Sequence, residues 1–353
     1  MFLKRFSAVA LLAGTMALLG GACGKGGAAA KDDTKITGKP SDPPVKIEAT
    51  WKPNHRHTLR FEMSQHSEFP AFGRPGKMTN DTTIGQEYAL TVTNASEAGQ
   101  RGLELEFLAL EVQTTIGETE IYYDSANKVL NTGDNPLAQT LSNLIGGKIY
   151  YLLGADNSVL KLEGTQALFD RVDKAGSTGR PNRQGGMAVG AGFILRRVYS
   201  DDYFKQMVEL SGLPSQAVRV GDKWPIKRVV NGGLVGNLLL ETENTFKGWQ
   251  THEGRKCARI EFAGTMKASG TNSLLGAMGQ LAIENGKVQG TSWVDASLNL
   301  PVDTVIDENM DFKITLAWGG PNRGTNNAAQ PLAGVTRLQL SIKLLESETT
   351  EKK

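Results

Sequence analysis

Met310-Asp311-Phe312-Lys313-Ile314-Thr315-Leu316-Ala317-Trp318 alternates large apolar residues with polar or small ones, and Leu338, Leu340, Ile342 and Leu344 repeat the pattern around Arg337, Gln339 and Lys343. A period of two sets apolar side chains on one face of a strand and polar ones on the other, so these runs predict sheets with one face buried and one wet. Leu59, Phe61 and Met63, interleaved with Arg60 and Glu62, and Tyr88, Leu90 and Val92 read the same way. Turn signals at Asn94 to Gly99, Ala155-Asp156-Asn157-Ser158 and Glu284-Asn285-Gly286 separate such runs at hairpin distances. Leu103 to Val112 changes phase near Phe107, which predicts either a bulge or a strand covered on both faces. The expected fold class is mainly β: long antiparallel meander sheets, read also as a duplicated curved-sheet or half-barrel unit, with a few covering helices in the middle.

Helical periodicity is confined to Pro136 to Ile145, Thr165 to Lys174 and Phe193 to Leu210. A helix carrying Ile194, Val198, Met207 and Leu210 is expected to cover the open face of a curved sheet. The two flanks of this middle region share an outline of strand, polar turn, strand and then an aromatic run ending in Asp: Ile121-Tyr122-Tyr123-Asp124 in one, Ser292-Trp293-Val294-Asp295 in the other. The predicted organisation is a signal peptide over 1–22, a flexible tether over 23–50, a first β-rich unit with helices over 51–175, a Gly-rich loop or linker over 176–192, a helix and second β-rich unit over 193–345, and a polar tail over 346–353.

The start of the chain has its own grammar. Lys4 and Arg5 precede an apolar stretch from Phe6 to Leu19, followed by the small residues Gly20, Gly21 and Ala22 and then Cys23. Charge, short apolar core and small-residue end are the three parts of an export signal. Leu19-Gly20-Gly21-Ala22-Cys23 resembles the lipobox of bacterial lipoproteins, with Gly20 standing where that family prefers Leu. The resemblance implies lipid on Cys23, a membrane as partner, and a position on the bacterial envelope, the periplasmic face of the outer membrane if the host has two. An ordinary secretory signal is the alternative. If Cys23 carries lipid, Cys257 has no intramolecular partner, and the fold stands without a disulfide. Alternation places Cys257 beside Arg259 and Glu261, opposite Ile260 and Phe262.

A second resemblance rests on Gly147-Lys148-Ile149-Tyr150-Tyr151-Leu152, the Asp156-Asn157 turn, Leu213-Pro214 and Val220-Gly221-Asp222-Lys223-Trp224. Their order is similar to that in an uncharacterised domain-of-unknown-function family of exported β-rich bacterial proteins, and would cover about residues 51–345. No activity is implied by it. Trp224 reads as a core anchor behind the Gly221-Asp222 turn.

Among 353 residues with a formal charge of +2, the loss of residues 1–22 would remove two bases and leave acids and bases equal. That balance argues against a nucleic-acid surface. The four histidines supply no motif: His55 and His57 share a strand face without a nearby acid to complete a metal set, and His66 and His252 sit in polar turns. Gly-x-Ser-x-Gly, His-Glu-x-x-His, Ser-x-x-Lys and phosphate-loop patterns are missing. The acid pairs Asp201-Asp202, Glu104 with Glu106, and Asp307-Glu308 read as solvated surface. No catalytic residue, metal site or cofactor is expected. The reading is a noncatalytic envelope binding protein for an apolar or amphipathic ligand, with Ser273 to Ile283 as a candidate flap. The alternatives are an adaptor for another envelope protein and an enzyme of unfamiliar type relying on Cys257 or the His55/His57 pair.

Overall fold

The computed structural model describes residues 35–70, 76–94, 99–127, 136–177, 195–196, 199–210, 212–231, 237–269, 279–316 and 332–350. The strands are β1 (His55–Pro70), β2 (Lys77–Asn94), β3 (Arg101–Ile116), β4 (Thr119–Asp124), β5 (Lys148–Leu153), β6 (Val159–Glu163), β7 (Lys223–Asn231), β8 (Asn237–His252), β9 (Arg255–Ala268), β10 (Gly279–Asp295), β11 (Leu300–Leu316) and β12 (Leu332–Thr349). The helices are α1 (Pro136–Ser142), α2 (Thr165–Ser177) and α3 (Asp201–Val208).

All twelve strands form one antiparallel sheet in the order β6-β5-β3-β2-β1-β12-β11-β10-β9-β8-β7, with β4 pairing the far half of β3. The fold is therefore the expected mainly β meander with few helices, and the sheet does not close on itself. The two β-rich stretches read from the sequence are halves of this single sheet, joined where β1 pairs β12. Register fixes the faces. Leu59, Phe61 and Met63 of β1 lie opposite Leu344, Ile342 and Leu340 of β12 and opposite Tyr88, Gln86 and Ile84 of β2, so one continuous face carries the core. The other face carries ion pairs such as Arg60 with Glu62 and Glu87, at 2.7 and 2.8 Å. Pro225 has no N–H to donate, which suits β7 to its place at the edge.

In a flat sheet β6 and β7 would lie ten strand spacings apart, about 48 Å. Helix α3, eight residues and so about 12 Å long, nevertheless packs against both. The sheet is therefore coiled, and α3 fills the gap between its two edges. Ser200 caps this helix by accepting from the Tyr203 N–H at 3.2 Å, and Asp201 and Asp202 in its first turn favour the helix dipole. Tyr203, Phe204, Met207 and Val208 are buried in the sheet's interior with Leu141 of α1 and Leu168, Phe169 and Val172 of α2. Phe107, Tyr199, Tyr203 and Phe204 pack mostly edge to face at 5.3–6.2 Å between centroids. Such ring pairs each contribute about 0.5–1.5 kcal/mol beyond the area they bury.

The structure corrects several expectations. Residues 35–50 belong to the fold rather than to a tether: Thr37 pairs Trp249, Val45 pairs Val218, and Ile47 is buried with Phe246, Ile260 and Val294. Apolar Val45 and Ile47 find a partly open patch on β8–β10 and cover it, so the segment forms a strap. Glu284-Asn285-Gly286 is no turn but an irregularity inside β10, where the register to β11 shifts between Ile283 and Asn285. A Cβ on Gly286 would lie 2.1 Å from the Met266 carbonyl oxygen, so the glycine serves close strand approach. Within the expected helix over 193–210, Leu195 and Arg196 are helical and Asp201–Val208 forms α3, with Tyr199 and Ser200 non-helical before it; Ile194 and Val198 lie outside the described residues. The part of the expected flap that is described, Gly279 to Ile283, is β10 strand. The signal peptide, Cys23, residues 23–34 and residues 178–192 of the Gly-rich segment lie outside the described residues, while Gly176 and Ser177, expected as loop, close α2. The phase change near Phe107 is a bulge against β2, where β3 exchanges β5 for β4 as its other neighbour.

Candidate functional site

The interior face is apolar for most of its length and turns polar towards one end. Gln65, Ser67, Asn80, Thr82, Thr114 and Thr336 are all buried, and register brings them together: Ser67 opposite Thr336 and Asn80, Gln65 opposite Thr82, Thr82 opposite Thr114. They form two short hydrogen-bond chains. Gln65 donates to Ser67 Oγ at 2.6 Å, and Ser67 pairs with Thr336 at 3.0 Å. Thr82 and Thr114 lie 2.7 Å apart, and Thr114 donates to Asn80 Oδ1 at 3.1 Å. Each chain has an unused end, because Gln65 Oε1 and Asn80 Nδ2 are buried without a partner. An unpaired buried polar atom costs about 1–3 kcal/mol.

Glu308 stands on the same face, two strands from Gln65, between Val288 and Leu338. It is 5% exposed, and its Oε1 has no partner. Burial pushes its carboxyl up to about 8, against the opposing pull of Arg228. Burial likewise lowers the Arg228 guanidinium, which Glu209 and Glu308 act to hold charged. Glu209 also lines an open cleft of about 300 Å³ between α3 and β7, with Lys205, Gln206, Val229 and Val230. A cleft of about 500 Å³ lies on the other flank of α3, lined by Phe169, Arg196, Ser200, Asp201 and Asp202. Arg228 is thus in electrostatic reach of both the seam beside α3 and the interior carboxylate.

The histidines are dispersed. His55 and His57 stack at 5.9 Å, but their Nδ1 atoms pair separately with the Pro53 carbonyl and Ser347 Oγ, each at 3.0 Å, rather than converging on a shared point. His57 is 1% exposed, its Nε2 has no partner, and burial, then His55, lowers its pKa to about 4. His66 pairs with Asp81 at 2.7 Å, which raises its pKa. His252 is not partnerless in a turn: its Nε2 lies 2.8 Å from Asp303 Oδ2, and its ring stacks on Trp293 at 4.2 Å. His252, Glu253 and Asp303 are the one group among the described residues close enough to hold a cation, and register could not be read from the sequence to place them together. Lys343 already neutralises Glu253, which favours an ion-pair network over a metal site.

Cys257 is 0% exposed, inside the core rather than at an accessible surface, because the strand end is covered on both faces. Of the acid pairs, Glu104 bonds Lys148 at 2.6 Å and Glu106 lies 3.7 Å from Arg56. Asp307 accepts from Gln339, but Glu308, its neighbour, points inward and is not solvated surface. Trp224 packs on the smaller apolar cluster and donates to the Gly212 carbonyl at 3.0 Å. Among the described residues no helix is long and apolar enough to cross a membrane.

The family model of unknown function DUF6263 matches residues 99–300, from β3 to the start of β11. The chain belongs to DUF6263. No curated protein sequence matches it. A lipovitellin structure concerned with lipid–protein interactions aligns over 86% of this chain and 26% of its own, at 10% identity and a TM-score of 0.42. The chain thus spans about a quarter of lipovitellin's length. DynF from the dynemicin biosynthesis pathway of Micromonospora chersina aligns over 92% and 94% of the two chains, at 8% identity and a TM-score of 0.21. A DUF1329 family protein from Desulfovibrio piger aligns over 81% and 85%, at 8% identity and a TM-score of 0.12. Each TM-score lies below 0.5, so these likenesses are too distant to carry a function across.

Proposed function

We propose that this DUF6263 protein is a noncatalytic lipoprotein of the bacterial envelope, anchored through lipid on Cys23, that binds an amphipathic ligand inside its coiled sheet. The observation that carries the reading is the interior polar end, where Gln65, Asn80 and Glu308 leave buried hydrogen-bonding atoms unpaired beside an apolar lining. Binding sites of this kind are mostly apolar with a few placed polar groups. The seam beside α3, with clefts on both flanks, is the route in, since it is where the sheet leaves its edges apart. The signal and lipobox-like segment supplies the envelope address.

Native mass spectrometry of the full chain, extracted from membranes and measured before and after organic-solvent stripping, tests the reading. A defined, strippable mass beyond the acyl groups is expected, together with release of a Cys23→Ser variant from the membrane fraction in washes that leave the parent attached. A bare protein under gentle conditions would overturn ligand binding. Retention of the Cys23→Ser variant on membranes would overturn the anchor.

A further inference from the structure

We infer that the interior polar end is a head-group site for a neutral, hydroxyl-bearing amphiphile such as a monoacylglycerol, rather than for an anionic or quaternary-ammonium lipid. The inference deepens the proposed function and rests on it. Its basis is the inventory of unused atoms. Gln65 Oε1 can only accept, Asn80 Nδ2 can only donate, and the two sit diagonally on adjacent strands, in successive same-face pairs of the ladder, Gln65 with Thr82 and Ser67 with Asn80. A hydroxyl group donates once and accepts as well, so a single ligand hydroxyl satisfies both atoms together. Glu308 Oε1 offers a further position, and a second hydroxyl answers it whether the carboxyl is charged or protonated.

The alternatives fit less well. An ionised phosphate or carboxylate group has no hydrogen to give Gln65 Oε1, and its charge would be buried with the nearby cation, Arg228, already engaged by Glu209 and Glu308. A quaternary ammonium has no N–H to give Gln65 or Glu308 and nothing to accept from Asn80. Among the described residues, the neighbours of these groups on the same face are hydroxyl and amide side chains or aliphatics: Ser67, Thr82, Thr114, Thr336, Leu338 and Val288. No aromatic cage is formed by them.

The test uses the full chain in phosphatidylcholine nanodiscs, with empty discs as the partition control, and three radiolabelled probes: monooleoylglycerol, oleate and dioleoylphosphatidylglycerol. Protein-dependent retention of monooleoylglycerol at least tenfold above the other two is expected. Glu308→Leu and Gln65→Met should each lower that retention by tenfold or more while keeping or raising the thermal midpoint, since each removes an unpaired buried atom. Two variants guard against a single misfolding substitution. Equal retention of all probes, unchanged in both variants, would overturn the head-group assignment and leave amphiphile binding standing. No protein-dependent retention of any probe would overturn both and leave buried water as the partner of these atoms.

Discussion

Trp51 Nε1 donates to the Val208 carbonyl at 2.9 Å, fastening the end of the N-terminal strap to the last turn of α3. Around this bond the strap also reaches other parts of the sheet: Thr50 N–H donates to the Asn299 carbonyl, Asn157 donates to the Ala49 carbonyl, and Arg101 donates to the Trp51 carbonyl. One segment therefore holds the β5–β6 turn, the β10–β11 turn and the seam helix together.

Trp51 is 4% exposed, so Trp51→Ala is expected to cost about 3–5 kcal/mol through lost burial, and Trp51→Phe about 1–2 kcal/mol, chiefly through the orphaned Val208 carbonyl. Urea unfolding at constant m-value measures both. Equal midpoints for parent and Trp51→Ala would show that the strap contributes nothing to the fold.

Gly248 has φ of +120° and faces the strap so closely that a Cβ would lie 2.4 Å from the Thr37 carbonyl oxygen. Gly248→Ala should loosen the Thr37–Trp249 pairing selectively. Hydrogen exchange at the Thr37 and Trp249 amides should speed up by at least tenfold, while that of the β1–β12 ladder stays slow. Unchanged exchange at both amides would contradict this account of the glycine.

Two buried groups set opposing pH dependences. Glu308 ionises near 8 when folded but from a reference of 4.5 when exposed, so between these values the folded state holds the extra proton and stability falls as pH rises. His57 titrates near 4 when folded against 6.5 when exposed, so between these values the unfolded chain holds the extra proton and stability falls as pH drops. The two nearly cancel from about 4.5 to 6.5. From about 6.5 to 8 Glu308 acts alone, and stability should decline by up to ~1.4 kcal/mol per pH unit. Glu308→Leu should flatten that decline and uncover the His57 loss on the acid side. Urea midpoints from pH 4 to 9 decide it, and an unaltered slope above pH 6.5 in the variant would refute the assignment.

Cys257 should resist maleimide in the native protein and react fully in denaturant, as expected for a thiol with no exposed surface. Rapid native labelling, read by intact mass, would contradict its burial. The result also bears on the enzyme alternative, which needs this sulfur within reach of a substrate.

The strands were legible because one face of the sheet is wet: Arg60, Glu62, Arg337 and Lys343 announce the alternation that Phe61, Leu338 and Leu340 complete. The interior polar end was not legible. Thr82, Thr114 and Asn80 look like ordinary solvent-facing strand residues, and only pairing across β1, β2, β3 and β12 shows that they face inward. Glu308 was hidden for a related reason, since Asp307 beside it is a true surface acid and neighbouring acids read alike. The strap escaped because its few apolar residues, Val45 and Ile47, follow three prolines and carry no period of their own. His252 and Asp303 meet across a sequence separation of 51, with two strands between theirs in the sheet.

The pairing of β1 with β12 joins partners such as His57 and Ser347, 290 residues apart, in the middle of the sheet rather than at its rim. During vectorial synthesis β12 emerges only after every other strand of the sheet, so the unpaired edge of β1 must be kept from other chains throughout that interval. The same arrangement makes the last strand a cooperative latch: truncation within Leu332–Thr349 would not trim an edge but part the sheet through its centre.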